Sequence, residues 1–247
     1  ALIRGKNTLI AGDTNQLPPT NFFKGLSSDD EDEDEDLATP EESILELANV
    51  QFHPKHRLLW HYRSKHEDLI AFSNHYVYDQ ELVIFPSPVP ATKTLGISLI
   101  EVNGTFQKGI NPAEAQVMLD AIVQFMKDTP ERSLGVAVMN QSQMEQIESL
   151  VMREAETNKV VSDYLDFWVS AREGLEKFFV KNLENVQGDE RDVIFVGTVY
   201  GRDPLGKFYQ RFGPINGPAG KRRLNVLFSR AKEQIVTFSS IPMADFK

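Results

Sequence analysis

Apolar runs of strand length alternate with helical patterns along most of this chain, and that alternation restricts the fold more than any other feature. Ile97 to Val102, Leu134 to Met139 and Val193 to Val199 read as strands. The second is continuously apolar, as a strand covered on both faces should be. Asn111 to Lys127 places Ala115, Met118, Leu119, Ile122 and Phe125 on one helical face. A second helix is predicted from about Gln141 to Glu156, and its N-terminus would offer free N–H groups to a phosphate. Ser162 to Lys177 reads as a third, with Phe167 and Trp168 inside. Strands alternating with helices imply an α/β fold with a mainly parallel sheet.

The 247 residues are enough for one large domain, or one and a half. With no cysteine, disulfides and thiolate zinc sites are excluded, and a cytoplasmic location is expected. No apolar run approaches the roughly 20 residues that span a bilayer. The net charge of −10 is concentrated locally. Asp29 to Asp36 is an unbroken run of eight acids, and without it the charge is −2. A near-neutral remainder leaves nucleic acid open as a partner. The run itself reads as a solvated linker over residues 21 to 56, which also holds one amphipathic helix near Glu42 to Asn49.

Lys221 to Lys232 carries the densest chemistry. Leu224, Leu227, Phe228 and Ala231 fall at helical spacing, with Arg222, Arg223, Asn225, Ser229 and Arg230 off that stripe. Guanidinium groups on a helix packed by its other face suit recognition of a polyanion. Near the start, Thr8 to Ala11 reads as a short buried strand ending in Gly12-Asp13 and a stiff Pro-rich turn. That geometry would set Asp13 and Gln16 where a phosphate is sensed. Ser64 with Glu67 makes a capping-box pattern for a helix with Leu69, Ile70, Phe72, Ser73 and Tyr76 inward. Arg63 then sits just before a helix N-terminus, with the ring of Tyr62 beside it. All five histidines lie between His53 and His75, but their intervals fit no zinc pattern, so no metal site is expected.

Four separated stretches match one family in order. Gly12 to Thr20 resembles motif III of the superfamily 1 helicases, and His61-Tyr62-Arg63-Ser64 resembles their motif with the first arginine finger. Val186 to Glu190 resembles motif V, and Arg223 to Lys232 resembles motif VI. Gly135 to Gln143 is similar to a weaker motif at the start of the second domain's helix. The likeness is greatest to large bacterial helicase-related proteins of the nonsense-decay-helicase branch.

The resemblance implies a RecA-like fold of the P-loop NTPase type. Gln16 would sense the γ-phosphate, and Arg63 and Arg230 would be arginine fingers. Tyr62 would stack on adenine, Glu190 would hold the ribose, and Gln187 and Gly188 would position that loop, with Asp13 also at the nucleotide. Asn140 and Gln143 would touch the nucleic-acid backbone, DNA being favoured over RNA. ATP and Mg²⁺ are the implied ligands.

Two elements of the pattern are missing. No Gly-x-x-x-x-Gly-Lys-[Ser/Thr] occurs, because the Gly-Lys pairs at Gly5, Gly206 and Gly220 are followed by Asn7, Phe208 and Arg222. The acidic Mg²⁺-binding motif II is absent too. Residues 1 to 20 therefore read as the end of a first RecA-like domain, 21 to 56 as the linker, and 57 to 247 as the second RecA-like domain. A missing first domain would act in cis, and the chain alone would be inactive. The alternative is a non-catalytic nucleic-acid-binding or scaffold module descended from such a motor.

Overall fold

In a computed structural model, residues 6–17, 44–92 and 94–245 are described. The acidic run lies outside them. Helix α1 spans Ile44–Gln51, and a two-stranded parallel ribbon pairs β1 (Trp60–His61) with β2 (Val83–Ile84) across α2 (Asp68–Tyr76). The main sheet follows: β3 (Gly96–Glu101), α3 (Pro112–Asp128), β4 (Leu134–Val138), α4 (Gln141–Thr157), α5 (Lys159–Ser170), β5 (Phe179–Asn182), β6 (Arg191–Gly201), α6 (Gly220–Phe228) and β7 (Ala231–Ser240). Its order is β3-β7-β6-β4-β5, with every neighbouring pair parallel. The α/β architecture expected from the alternation is what the chain adopts.

Burial explains the arrangement. All five residues of β4 are buried, and so are Val193 to Val196 on β6. Consecutive buried positions point to opposite faces, so both faces of the sheet are covered. On one face Phe195 meets Phe125 of α3 at 5.7 Å between ring centroids. Helices α3, α4 and α5 pack on one another, while α2 packs on α6, where Phe72 and Phe228 approach to 4.8 Å.

Several local expectations are revised. Thr8 to Ala11 joins no sheet, and Leu9 is 94% exposed, because a lone strand has no neighbour to complete its hydrogen bonds. Ser64 does not cap α2; its hydroxyl pairs with His61 Nε2. Glu67 instead accepts a hydrogen bond from the Ser87 N–H at 2.7 Å. Trp168 is buried, but Phe167 stands exposed on α5. Helix α6 ends at Phe228, so Ala231 opens β7, and Asn225 is buried rather than set on a polar face.

A polar knot inside the core fixes the far end of β6. Val199 has φ 69°, in the left-handed region that β-branched residues avoid. Its N–H donates to Glu114 Oε1 at 2.7 Å, and its carbonyl accepts from Asn111 Nδ2 at 3.1 Å. Both partners sit fully buried at the start of α3, where the Asn111 side chain also caps the helix through the Glu114 N–H. Strain of this kind costs on the order of 1–3 kcal/mol and persists only where neighbours over-determine it.

Burial pushes the Glu114 carboxyl up to about 7, against the lowering effect of the Val199 and Ser240 donors. Since the folded value exceeds the ordinary 4.5, the native state holds the proton more tightly. The stability this group contributes is complete below about pH 4.5 and is lost as pH rises to about 7. Glu114→Gln should remove that decline, which amounts to roughly 3 kcal/mol between the two limits. Urea unfolding of both proteins at several pH values measures the difference.

Candidate nucleotide-facing site

The site forms at the amino-terminal edge of the sheet because two neighbouring strands start level. Arg191 on β6 is in register with Ala231 on β7, and the Arg191 N–H donates to the Arg230 carbonyl at 3.2 Å. Glu190 and Arg230, the residues just before each strand, are therefore held side by side. Only Ser229 and Arg230 separate α6 from β7.

Arg230 is 5% exposed. Its Nε donates to the Val226 carbonyl at 2.9 Å, and its Nη2 donates to Ser229 Oγ at 2.8 Å. Arg63 reaches the same turn from the segment before α2. Its Nη1 donates to the Ser229 carbonyl at 3.3 Å, and its Nε lies 3.2 Å from Glu190 Oε2. Two guanidinium groups far apart in the chain thus share Ser229. Burial, then the nearby Arg63 charge, lowers the Arg230 pKa, with Glu190 and Asp189 opposing. Tyr62, beside Arg63, is 87% exposed, so its ring face is open.

Glu190 is a junction of charges. Its Oε1 lies 3.3 Å from Lys232 Nζ, which also meets Glu176 at 2.6 Å, and Arg172 holds Glu176 from the other side at 2.7 Å. Burial alone would lower the Lys232 pKa, but pairing with Glu176 and Glu190 raises it. Asp189 takes Lys181 at 2.6 Å. Gly188 has φ 87°, and the space beside its Cα is open within 4 Å, so the left-handed backbone rather than crowding calls for glycine there.

The turn after Gly12 docks on the same region. Asp13 accepts hydrogen bonds from the Asn15 N–H at 2.9 Å, Gln16 Nε2 at 3.1 Å and the Tyr78 hydroxyl at 2.5 Å. Asn225 Nδ2 donates to Tyr78 Oη at 3.0 Å and to the Asn15 carbonyl at 2.9 Å. Gln187 Nε2 donates to the Leu17 carbonyl at 3.0 Å. Burial and then the Asp13 carboxylate push the Tyr78 hydroxyl up to about 12, partly offset by Asn225.

Three expected roles change. Asp13 does not present a free group to a nucleotide; its carboxylate is spent on the turn, and its charge would repel phosphate. Gln143 is fully buried, with Oε1 accepting the Asn111 N–H and Nε2 donating to the Asn111 carbonyl, so it does not reach a nucleic-acid backbone. Asn140 caps α4 through the Gln143 N–H and donates to the Gly109 carbonyl, so its amide is committed as well. Both lie at the carboxyl edge, the length of a strand away from Arg230. Tyr78, Arg191 and Lys232 are the residues that sequence reasoning missed. Only Lys232 carried a signal, as the basic end of the motif VI-like stretch.

A family described as "AAA domain" matches residues 41–241. The chain belongs to that family, which is of the superfamily 1 helicase type. It is 34% identical over 251 residues to an uncharacterized ATP-dependent helicase of Mycoplasma pneumoniae, covering 99% of this chain and 22% of that protein. It is 35% identical over 245 residues to an uncharacterized ATP-dependent helicase of Mycoplasma genitalium, covering 97% and 21%. The chain thus spans about a fifth of the length of these curated relatives. Among solved structures, the C-terminal domain of a possible DNA helicase from Lactobacillus plantarun WCFS1 aligns at 14% identity with a TM-score of 0.40, covering 74% of this chain and 92% of that one. No helix among the described residues is long and apolar enough to cross a membrane.

Two arginines at this edge should differ sharply in what their loss costs. Arg191 is almost fully buried, donates to the Lys177 and Glu190 carbonyls, and lies 4.6 Å from the Phe179 ring centroid. Arg191→Ala should destabilise the chain by roughly 3 kcal/mol or more, because buried carbonyls lose their donors and a void opens. Arg63→Ala, which breaks a half-exposed pair, should cost at most about 1 kcal/mol. Denaturant unfolding of both variants checks the contrast.

Proposed function

We propose that this chain is the motor half of an ATP-dependent nucleic-acid helicase or translocase, one that faces a triphosphate bound on a first RecA-like domain in the complete protein. The observation that carries this reading is the sharing of Ser229 by Arg63 and Arg230. Glu190 pairs with Arg63 and, with Asp189, faces Arg230, and the two guanidinium groups keep positive charge at this edge. A planar fork of donors that stays charged suits the equatorial oxygens of a transferring phosphoryl group. Family membership and ATP-dependent helicase relatives agree with the assignment.

In this reading Arg63 and Arg230 act as arginine fingers, with Gln16 as the γ-phosphate sensor on the docked turn. Tyr62 offers its open ring to the adenine. Glu190 exchanges one of its cations for the ribose hydroxyls when nucleotide enters, and Gln187 and Gly188 shape the loop that carries it. The residues at this edge fit a polyanion. They do not fit a divalent cation: both Asp13 oxygens already accept hydrogen bonds from the turn and Tyr78, and no group of three His, Asp or Glu side chains among the described residues could hold a metal. Mg²⁺ ligands belong, in this proposal, to the first domain. The nucleic acid is DNA in preference to RNA, and the protein is cytoplasmic.

Fingers act on transition-state charge, so their loss should spare binding. In the complete protein, Arg63→Ala and Arg230→Ala should each lower ATP turnover on the order of 10³-fold while nucleotide affinity stays within a few-fold. The chain by itself should show no ATPase activity. Steady-state turnover and equilibrium binding of a fluorescent ATP analogue measure both effects. Loss of binding without a matching loss of turnover would count against the fingers. A protein that binds nucleic acid with no ATP dependence would be a scaffold instead.

A further inference from the structure

We propose that Tyr78 is a positioning residue for the phosphate sensor, latching the turn that carries Gln16 onto helix α6, the element that leads into Arg230. The inference rests on the function proposed above and adds a residue that neither the motifs nor the comparisons point to. Three segments distant in sequence meet at one phenol. The Asn225 amide on α6 donates to Tyr78 Oη at 3.0 Å, and that hydroxyl donates its own proton to Asp13 Oδ2 at 2.5 Å. The same carboxylate oxygen accepts Gln16 Nε2 at 3.1 Å. A second branch closes the loop, because Asn225 Nδ2 also donates to the Asn15 carbonyl at 2.9 Å.

The order of donors gives the relay a direction. Asn225 Nδ2 and the phenol O–H are both donors, so the phenol proton is left to Asp13, which as a carboxylate only accepts. Asp13 in turn orients the Gln16 amide by holding one of its N–H groups. The other N–H and the carbonyl oxygen of that amide are thereby aimed away from Asp13. Asn225 is fully buried and its Oδ1 has no partner among the described residues, so the side chain is kept for what its Nδ2 does. An amide oxygen left unpaired in the core is a cost that a purely packing role would not explain. Burial and the adjacent carboxylate hold the phenol protonated across the physiological range, so the donated proton is always there.

The latch also makes geometric sense of the neighbouring contact. Gln187, on the loop that ends in Glu190, holds the Leu17 carbonyl at 3.0 Å. The turn bearing Gln16 is therefore gripped at Asp13 by Tyr78, at Asn15 by α6, and at Leu17 by the loop before β6. A sensor held at both ends moves with the fingers as one body. Removing one grip lets it lag behind them.

The test uses the complete protein with saturating ATP and a single-stranded oligonucleotide. Tyr78→Phe keeps the ring and deletes only the hydroxyl. We expect turnover to fall roughly tenfold, with KM for ATP and the affinity for a fluorescent nucleotide analogue changed less than about threefold, as loss of an orienting hydrogen bond requires. In a Gln16→Ala background the same substitution should add no further loss, because Tyr78 acts through Gln16. Wild-type turnover in Tyr78→Phe, or a loss that multiplies with that of Gln16→Ala, overturns the proposal. Should Tyr78→Phe fold poorly, Asp13→Asn breaks the relay at its acceptor and must show the same pattern. Misfolding of both variants would make the cluster a structural support and overturn the positioning role. Absence of ATPase in the wild type would remove the motor reading and this inference together. Turnover that survives Arg230→Ala would remove the finger alone and leave the Tyr78 comparison standing.

Discussion

The level start of β6 and β7 is the constraint from which the amino-terminal edge follows. Parallel neighbours with Arg191 opposite Ala231 must set the preceding residues, Glu190 and Arg230, next to each other. A connection of two residues between α6 and β7 leaves Arg230 no freedom to swing out, and the Val226 carbonyl one turn back in the helix takes its Nε. The buried Arg191 guanidinium then ties the Lys177 and Glu190 carbonyls from beneath. A residue with no place in the proposed chemistry thus holds in place one that has.

Holding cations this close has a cost, and the surrounding carboxylates decide whether it is tolerable. Burial and then the Arg63 charge lower the Arg230 pKa, and Glu190, paired with Arg63, works against this together with Asp189. Glu176, placed between Lys232 and Arg172, relieves Glu190 of having to neutralise Lys232 alone. Burial would raise the Glu176 pKa, yet Lys232 and Arg172 bring it down, so it remains an anion. Arg63, Arg230, Lys232 and Arg172 still outnumber Glu190 and Glu176. The residual positive field points where an anion would complete the balance.

Much of this was legible in the sequence, and the reasons differ by element. The strands β3, β4 and β6 and the helices α3 and α4 declared themselves because a fully covered sheet needs uninterrupted apolar runs and its helices need one apolar face. The nearness of Arg63 to Arg230 was suggested only through the resemblance, since no local pattern joins residues 63 and 230. Tyr78 was invisible: it follows the helix end at Tyr76, and nothing in the spacing marks its hydroxyl as a bridge to Asp13. Asn225 falls off the apolar stripe, yet it is buried because its Nδ2 bonds Tyr78 and the Asn15 carbonyl, contacts that no local spacing reveals. For Gln143, contact with nucleic acid was implied by the resemblance alone, but the backbone of Asn111 claims both ends of its amide.

The two edges of the sheet are built on different physical terms, and that difference bears on how they could communicate. At the amino edge, charged side chains are held by ion pairs that are partly exposed and exchangeable. At the carboxyl edge, Val199 is locked in a left-handed conformation by buried hydrogen bonds to Glu114 and Asn111. The strand joining them is buried along its length, and a close-packed strand transmits displacement as a rod rather than absorbing it. A shift of Glu190 that accompanied the release of Arg63 would therefore be carried along β6 to Val199, which cannot relax without abandoning both of its partners.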